Sequence, residues 1–517
     1  MAIKDGKILE VNTSQEILKK YKANNTEDAK GHFVFPGFID AHCHFVGYAL
    51  GLNQVNLVGT KSYAEVLERT ASFSKKNETP LDGKPAGVFG LSQGGWLIGR
   101  GWDQNDWEKK QYPTKEKLDS LFPTSPVLLT RIDGHAALAN SVALNKAGIT
   151  VKTKITGGEI LVSKNQLTGI LIDNAVDLVR KYIPENNKAS ITAALLTAQQ
   201  NCLEQGLTTL DDAGLMKADI HLLDELQKSG RLKLRIYAML SDSTPNYAHY
   251  LEKGPYKTDR LNVRAFKFYA DGALGSRGAC LQEEYTDKKK WKGFLLSDIA
   301  HFKKYAELLA KKGFQMNTHC IGDSAMSVLL GIYENYCNKK TKLRWRIEHA
   351  QVLAKKDFEK FKGGIIPSVQ PTHATSDMYW VNERLGHERT QYAYAYKALL
   401  KEAETIALGT DFPVEDISPF KTFYAATARQ DSKGFPQNGF QKENALTREE
   451  TLKGMTIWAA YANFEEQEKG SLEKGKMADF IILDKNIMTC ELSEILKTTV
   501  QATYINGEKV FSLRARK

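Results

Sequence analysis

The chain has 517 residues, 42% hydrophobic and 26% charged, with a formal net charge of +10 at pH 7. Such a composition is ordinary for a globular protein, and the length allows a barrel of roughly 250 residues plus further modules. No apolar run approaches the roughly 20 residues that span a bilayer. The lysines form no basic stripe interleaved with aromatics, Lys288-Lys289-Lys290 being a short loop cluster, so nucleic-acid binding is not expected. The six cysteines are scattered without paired-ligand spacing and read as free thiols, with Cys43 and Cys320 as small buried residues.

In chain order, Met1 to Ile8 reads as a strand, a turn and the start of a second strand, as if the chain began partway into a domain. It carries no apolar signal-peptide segment. The sequence as given therefore implies a cytoplasmic protein, and a periplasmic or envelope protein if a signal peptide precedes Met1, so the compartment stays open. Val34, Phe38 and Ile39 read as a short buried strand over 34–41 that ends in Asp40-Ala41-His42-Cys43-His44. Residues two apart on a strand point the same way, so His42 and His44 reach one point in space, as a shared metal requires.

An insertion is expected at about 57–180, carrying Gly101-Trp102-Asp103 and Asp133-Gly134-His135. Further strands are expected near 207–211, 232–240, 263–269, 314–319, 344–348, 364–370 and 405–410, with helices such as Ile299 to Lys311 and Ser324 to Tyr336 between them. With the first strand this makes eight, in strand–helix alternation, which predicts a (β/α)8 TIM barrel of the α/β class. Near the C-terminal ends of these strands stand Lys267, His319, His349 and Asp411, where such a barrel collects its active site. The final strands, 475–484 and 500–510 with an Asn506-Gly507 turn signal, complete a small domain with the N-terminus. The expected division is a composite β-sandwich of 1–33 and 466–517, and a barrel of 34–465 that holds the insertion.

The segments Pro36 to His44, Gly101 to Trp107, Asp133 to Ala136, Asp271 to Arg277, His319 to Asp323, Arg346 to Gln351 and Gly409 to Val414 together closely resemble the amidohydrolase superfamily. The nearer resemblance is to its family 3 branch, with YtcJ-like and N-substituted formamide deformylase-like members. It runs over nearly the whole chain and is specific for family, loose for substrate. It implies a small β-sandwich beside the barrel and a binuclear centre of two divalent ions, zinc being the expected metal. His42, His44 and Asp411 would hold the first ion, and His319 and His349 the second. Lys267 would bridge them as an N6-carboxylated lysine; the alternative for Lys267 is a buried ion pair with Asp271 or Asp411.

The implied activity is metal-dependent hydrolysis of a non-peptide C–N bond, in a linear amide or an N-acyl or N-formyl amine. Metal-bound hydroxide would attack the carbonyl carbon, with Asp411 as the catalytic acid–base. A cyclic amidase, a deaminase or an esterase of the same superfamily is the alternative; a non-catalytic scaffold is disfavoured because the ligand set is intact. The expected partner is a small-molecule substrate, and homo-oligomerisation is left open. Candidate substrate contacts are Trp102, Asp103, His135, Asp271, Arg277 and His373. Each has a structural alternative: core for Trp102, a turn cap for His135, a loop clamp for Arg277. Asp211 and Asp212 read either as supports of the site or as helix caps.

Overall fold

The computed structural model describes residues 1–52, 54–78, 95–184, 187–338 and 340–513. The parts of the expected insertion at 79–94 and of the expected terminal domain at 514–517 lie outside the described residues. Eight parallel strands form the barrel: β1 (Phe38–Cys43), β2 (Leu207–Leu215), β3 (Arg235–Ser241), β4 (Leu261–Tyr269), β5 (Gln315–Cys320), β6 (Arg346–His349), β7 (Ile366–Val369) and β8 (Ala407–Leu408). They neighbour one another in chain order. The ring is completed just beyond the two outer strands, where Asp411 N–H donates to the His42 carbonyl at 2.7 Å and His44 N–H to the Phe412 carbonyl at 2.8 Å. Gly409 makes this approach possible: a Cβ there would lie 2.4 Å from the His42 nitrogen.

The first strand differs from its expected course. Gly37 divides it, and Phe33–Pro36 pairs antiparallel with Phe480–Leu483 of the terminal sheet, while the barrel strand begins at Phe38. Val34, expected to be buried, is exposed at this sheet edge. The second strand runs past 211 to Leu215, so Asp211 and Asp212 lie within it rather than after it. The predicted helices are observed at Ile299–Lys312 and Asp323–Tyr333, the latter ending three residues early.

The apolar periodicity of those helices buries Phe302, Leu309, Leu329 and Leu330 in one core with Phe266 and Phe268 of β4, Met316 of β5 and Phe314 just before it. Removing each such side chain from water contributes about 1.5–3 kcal/mol. Among the described residues no helix is long and apolar enough to cross a membrane.

The chain ends build a four-stranded antiparallel sheet in the order Glu508–Ser512, Val500–Ile505, Phe480–Leu483, Phe33–Pro36. The hairpin Ala2–Lys4/Lys7–Glu10 joins it: Ile8 N–H donates to the Lys476 carbonyl at 2.9 Å, and Gly475 N–H to the Ile8 carbonyl at 2.8 Å. Asn506 and Gly507 take φ of 53° and 69°, the left-handed pair that a tight two-residue hairpin requires. Between β1 and β2 the insertion forms a six-stranded sheet in the order Val55–Asn56, Leu97–Trp102, Val127–Arg131, Ala136–Ala139, Gln166–Asp173, Gly158–Ser163. It has its own core around Leu97, Trp102, Leu129 and Leu138. It meets the barrel at the loops after β4 and β7, where Arg384 donates to Asn105 at 2.9 Å. Asp173 packs so closely on Gly272 and Gly278 that a Cβ on either would lie 2.6–2.7 Å from its carboxylate.

Candidate active site

His42 is the last residue but one of β1, and His44 follows the strand as the residue that opens the helix Phe45–Gly51. The His42 ring is wholly buried, and its Nδ1 is hydrogen-bonded to the Glu348 carboxylate. Burial pushes Glu348 up, but His42, Arg346 and Lys267 together hold it below the ordinary carboxylate value, so it is ionised and only accepts. The proton is therefore on Nδ1, and His42 Nε2 is left as a lone pair, 3.0 Å from Lys267 Nζ and 3.7 Å from Asp411 Oδ1. His44 is set the same way. Its Nδ1 donates to the Ala213 carbonyl at 2.9 Å, and its Nε2 stands 3.2 Å from Asp411 Oδ1. A histidine whose far nitrogen is held in this manner is oriented as a metal ligand.

Asp411 follows β8 and His349 closes β6. Both take left-handed backbone, φ 62° and 71°. Such values are uncommon outside glycine and concentrate at functional sites. Burial pushes the Asp411 carboxylate up, but the His44 hydrogen bond and the imidazoles around it outweigh burial and hold it well below its usual range. Burial, followed by His135 and Lys267, pushes His319 well down; burial, followed by His319, does the same to His349. Both are thus neutral, the form that binds metal.

His319 and His349 face each other with ring centroids 4.6 Å apart, and His349 stacks on His373 at 5.7 Å. His319 Nε2, His349 Nδ1 and His373 Nε2 are buried without a hydrogen-bond partner. Orphaned buried polar atoms are rare, and unpartnered imidazole nitrogens beside a carboxylate are the donor type a divalent ion takes. Ligand atoms of His42, His44 and Asp411 lie within 4.8 Å of one another, and so do those of His349, His373 and Asp411. The residues present therefore fit the metal that the sequence implied. The second of these groups takes His373, expected at the substrate, while His319 borders it.

Lys267 is fully buried on β4, and burial pushes its amine down to about 8. Among the described residues no carboxylate lies within ion-pair distance of it, so the expected alternative, pairing with Asp271 or Asp411, is not formed. Asp271 is occupied elsewhere: it accepts the N–H groups of Cys280, Ile321 and Gly322 at 2.7–2.9 Å and so ties the loops after β4 and β5 together.

Of the other expected substrate contacts, the structure brings only His135 to this cluster, its ring 5.0 Å from His319. Trp102 is buried in the insertion core, donating to the Leu129 carbonyl at 2.7 Å. Asp103 pairs with Arg131 and caps the short turn Gln104–Asp106. Arg277 is held by Asp287 at 2.8 Å, as a clamp of its own loop. Asp212 accepts the N–H groups of Phe45 and Val46 at 2.9 and 3.1 Å, capping the helix behind His44, while Asp211 pairs with Arg346 at 2.8 Å.

Sequence reasoning missed Glu348, Asp173 and Asp40. Asp173 accepts the Nδ1 hydrogen of His135 at 2.6 Å. Asp40 takes Thr410 N–H at 2.9 Å and the Thr410 hydroxyl at 2.7 Å, clipping β1 to the Asp411 segment. Asp40, two residues before His42 on the same face of the strand, was the one with a readable signal.

A solved structure carries the same fold, and curated relatives match in sequence over nearly the whole chain. A solved structure of an uncharacterized metal-dependent hydrolase from Pyrococcus horikoshii OT3 superposes with a TM-score of 0.74 at 27% identity, covering 95% of this chain and 94% of its own. YtcJ of Bacillus subtilis strain 168, an amidohydrolase by assignment, is 30% identical across 98% of this chain and 95% of its own length. The N-substituted formamide deformylase of Arthrobacter pascens is 25% identical across 98% of this chain and 93% of its own. The sequence profile of the amidohydrolase family matches residues 25–511, the span that includes every barrel strand and every histidine of the cluster, and the chain belongs to that family.

Proposed function

We propose that this metal-dependent hydrolase cleaves a non-peptide C–N bond, in a linear amide or an N-acyl or N-formyl amine. The observation that carries the reading is the convergence of His42, His44 and Asp411 within 4.8 Å at adjacent strand ends, with Asp411 shared by a second group. The formamide-cleaving relative, aligned over 98% of the chain, supports the bond class.

His42, His44 and Asp411 would hold one divalent ion, and His349 with His319 or His373 a second, with zinc the expected metal. When bound, such ions supply Lewis acidity toward a carbonyl oxygen and make water acidic enough to be a nucleophile near neutral pH. Lys267, whose Nζ lies 3.0 Å from His42 Nε2, would serve as a carbamate ligand shared by the two ions. Burial, by lowering its basicity, would leave more of it as the neutral amine that carboxylation requires.

The chain's own groups do the rest. Asp411, kept ionised by its histidines, accepts the proton of the attacking water and hands it to the leaving nitrogen. His135, aimed by Asp173, borders the cluster and offers Nε2 to the substrate. The insertion supplies His135 to the barrel mouth, 5.0 Å from His319.

The test is a panel of N-formyl amines, N-acyl amines, cyclic amides, aromatic amines and esters, assayed on metal-loaded protein with separate detection of formate, ammonia and carboxylate. Release of formate or acetate with the amine supports the reading. Ammonia from an aromatic amine, ring opening alone or ester cleavage alone overturns it in favour of a deaminase, cyclic amidase or esterase.

A further inference from the structure

β6 turns two side chains into the barrel, Arg346 and Glu348, and their partners on distant strands fix that direction. Glu348 reaches His42 of β1, and Arg346 reaches Asp211 of β2 at 2.8 Å. Register extends this inner face to the strands on either side. Asn317 of β5 pairs with Arg346, and Ser368 of β7 pairs with Glu348. Paired residues on adjacent strands lie about 5 Å apart and share a face. All four side chains are wholly buried. Yet Arg346 Nε, Glu348 Oε1, Ser368 Oγ and both ends of the Asn317 amide have no hydrogen-bond partner among the described residues.

These groups are complementary but do not satisfy one another. The Ser368 hydroxyl is a donor on the residue paired with Glu348, and Asn317 Oδ1 is an acceptor on the residue paired with Arg346, but neither pair bonds. The interior around them is roomy. Ala213, Ala265 and Ala407 stand at inward positions where such a barrel ordinarily carries bulky branched residues. At 0% exposure of all four residues, neither bulk solvent nor substrate reaches their polar atoms. The set offers donors as well as acceptors, and a metal ion cannot accept a hydrogen bond. Water does both, and a polar enclosure that gives it roughly two to four partners holds it.

We propose that ordered water is enclosed beneath the ligand cluster, bound by Glu348 Oε1, Ser368 and Asn317, and that through it Ser368 and Asn317 are positioning residues for His42. A carboxylate held by one oxygen turns readily about its last torsion, whose energy well is broad. Water on Oε1 fixes the plane in which the other oxygen accepts the His42 Nδ1 hydrogen. It thereby fixes the direction of the His42 Nε2 lone pair, which is the metal-binding end of that ring. The inference concerns the ligand set alone and stands whichever bond the enzyme cleaves.

A crystal structure of the full-length, zinc-loaded protein, at a resolution that shows ordered water, tests the site directly. Water bonded to both Glu348 Oε1 and Ser368 Oγ is expected; a direct Ser368–Glu348 bond, or a dry site, overturns the proposal. Zinc affinity, read by competition with a chromophoric chelator beside the melting temperature, tests the role. Ser368→Val removes the hydroxyl and fills its place, and should weaken zinc binding about 10-fold. Ser368→Thr has the same shape with the hydroxyl kept, and should stay near the parent. Asn317→Leu should behave as Ser368→Val does. In a Glu348→Gln background Ser368→Val should add little, because both changes act on one bond. Equal losses in the Thr and Val variants overturn the positioning role. So does a Ser368→Val loss that is undiminished in the Glu348→Gln background, or a folded Ser368→Val protein that binds zinc as the parent does.

Discussion

The Glu348 carboxylate accepts the Nδ1 hydrogen of His42, and this bond decides which ring nitrogen faces Lys267 and Asp411. Glu348 immediately precedes His349, so one strand end supplies both a cluster histidine and the support of another strand's histidine. Neighbouring strand residues ordinarily point to opposite faces. His349 escapes the rule through its left-handed backbone, φ 71°.

Loss of that support should loosen the ligand rather than remove it. Glu348→Gln keeps the size, but its amide no longer favours the Nδ1–H tautomer by charge. Metal affinity should fall about 10–100-fold, as measured by competition with a chromophoric chelator. A variant that binds metal as tightly as the parent would mean that His42 is oriented by other groups.

Protein purified without chelator should contain close to two divalent ions per chain, read by elemental analysis. Dialysis against chelator should abolish turnover, and zinc, manganese or cobalt should restore it. Metal-free protein that stays inactive after all three additions would sink the catalytic reading. One ion per chain would place the second group among structural histidines.

The barrel was legible because ligand-type residues and apolar runs coincide: a polar residue that ends a buried strand marks the mouth of such a fold. What was not legible depends on backbone direction and on distance. Gly37 turns the chain between two sheets, but Val34, Phe38 and Ile39 read as one strand because composition carries no sign of which sheet each residue joins. Alternation along β6 hides Glu348, since only a left-handed His349 brings both side chains to the same cluster. His135 and Asp173 come from the insertion, and nothing in their local sequence shows that they approach β5 and the loop after β4. Arg277 and Trp102 look like recognition residues in sequence, yet Asp287 and the Leu129 carbonyl already occupy them.

Lys267→Ala should remove the proposed bridge and most of the activity. Acetate or formate should restore part of it by supplying the missing oxygens. Mass spectrometry of native protein in bicarbonate should show one added CO2, absent in the variant. Full activity of Lys267→Ala would show that no bridge at this position is needed.

The terminal sheet is pinned to the barrel by Arg235 of β3, whose Nε lies 2.6 Å from Asp479 with both side chains buried. Burial pushes Asp479 up, but Arg235 outweighs it and the carboxyl lies below its ordinary value. A depressed carboxyl contributes stability that is present above the unfolded value of about 3.9 and is lost as pH falls through the folded value. Asp479→Asn leaves the buried guanidinium with only the half-exposed Asp259 at 3.7 Å and should cost up to about 3–5 kcal/mol at pH 7. Unfolding midpoints of the two proteins should converge as the pH drops below about 3.9. A gap that stays constant over that range would refute the ionic origin.

Asp411 is asked to do two jobs, to bind metal through an oxygen and to move a proton. Asp411→Asn separates them, because the amide keeps the shape and an oxygen but cannot take a proton at neutral pH. General acid–base catalysis contributes roughly 10²–10⁴-fold, so turnover should fall at least about a hundredfold while metal content stays near that of the parent. Both must be read on one preparation. If activity falls only in step with lost metal, Asp411 is a ligand and the base is another group. His373, whose Nε2 is 3.6 Å from Asp411 Oδ2, is then the first to test, by His373→Gln on the same panel. If neither activity nor metal changes, the segment after β8 does not belong to the reacting centre, however close its carboxylate lies to His44.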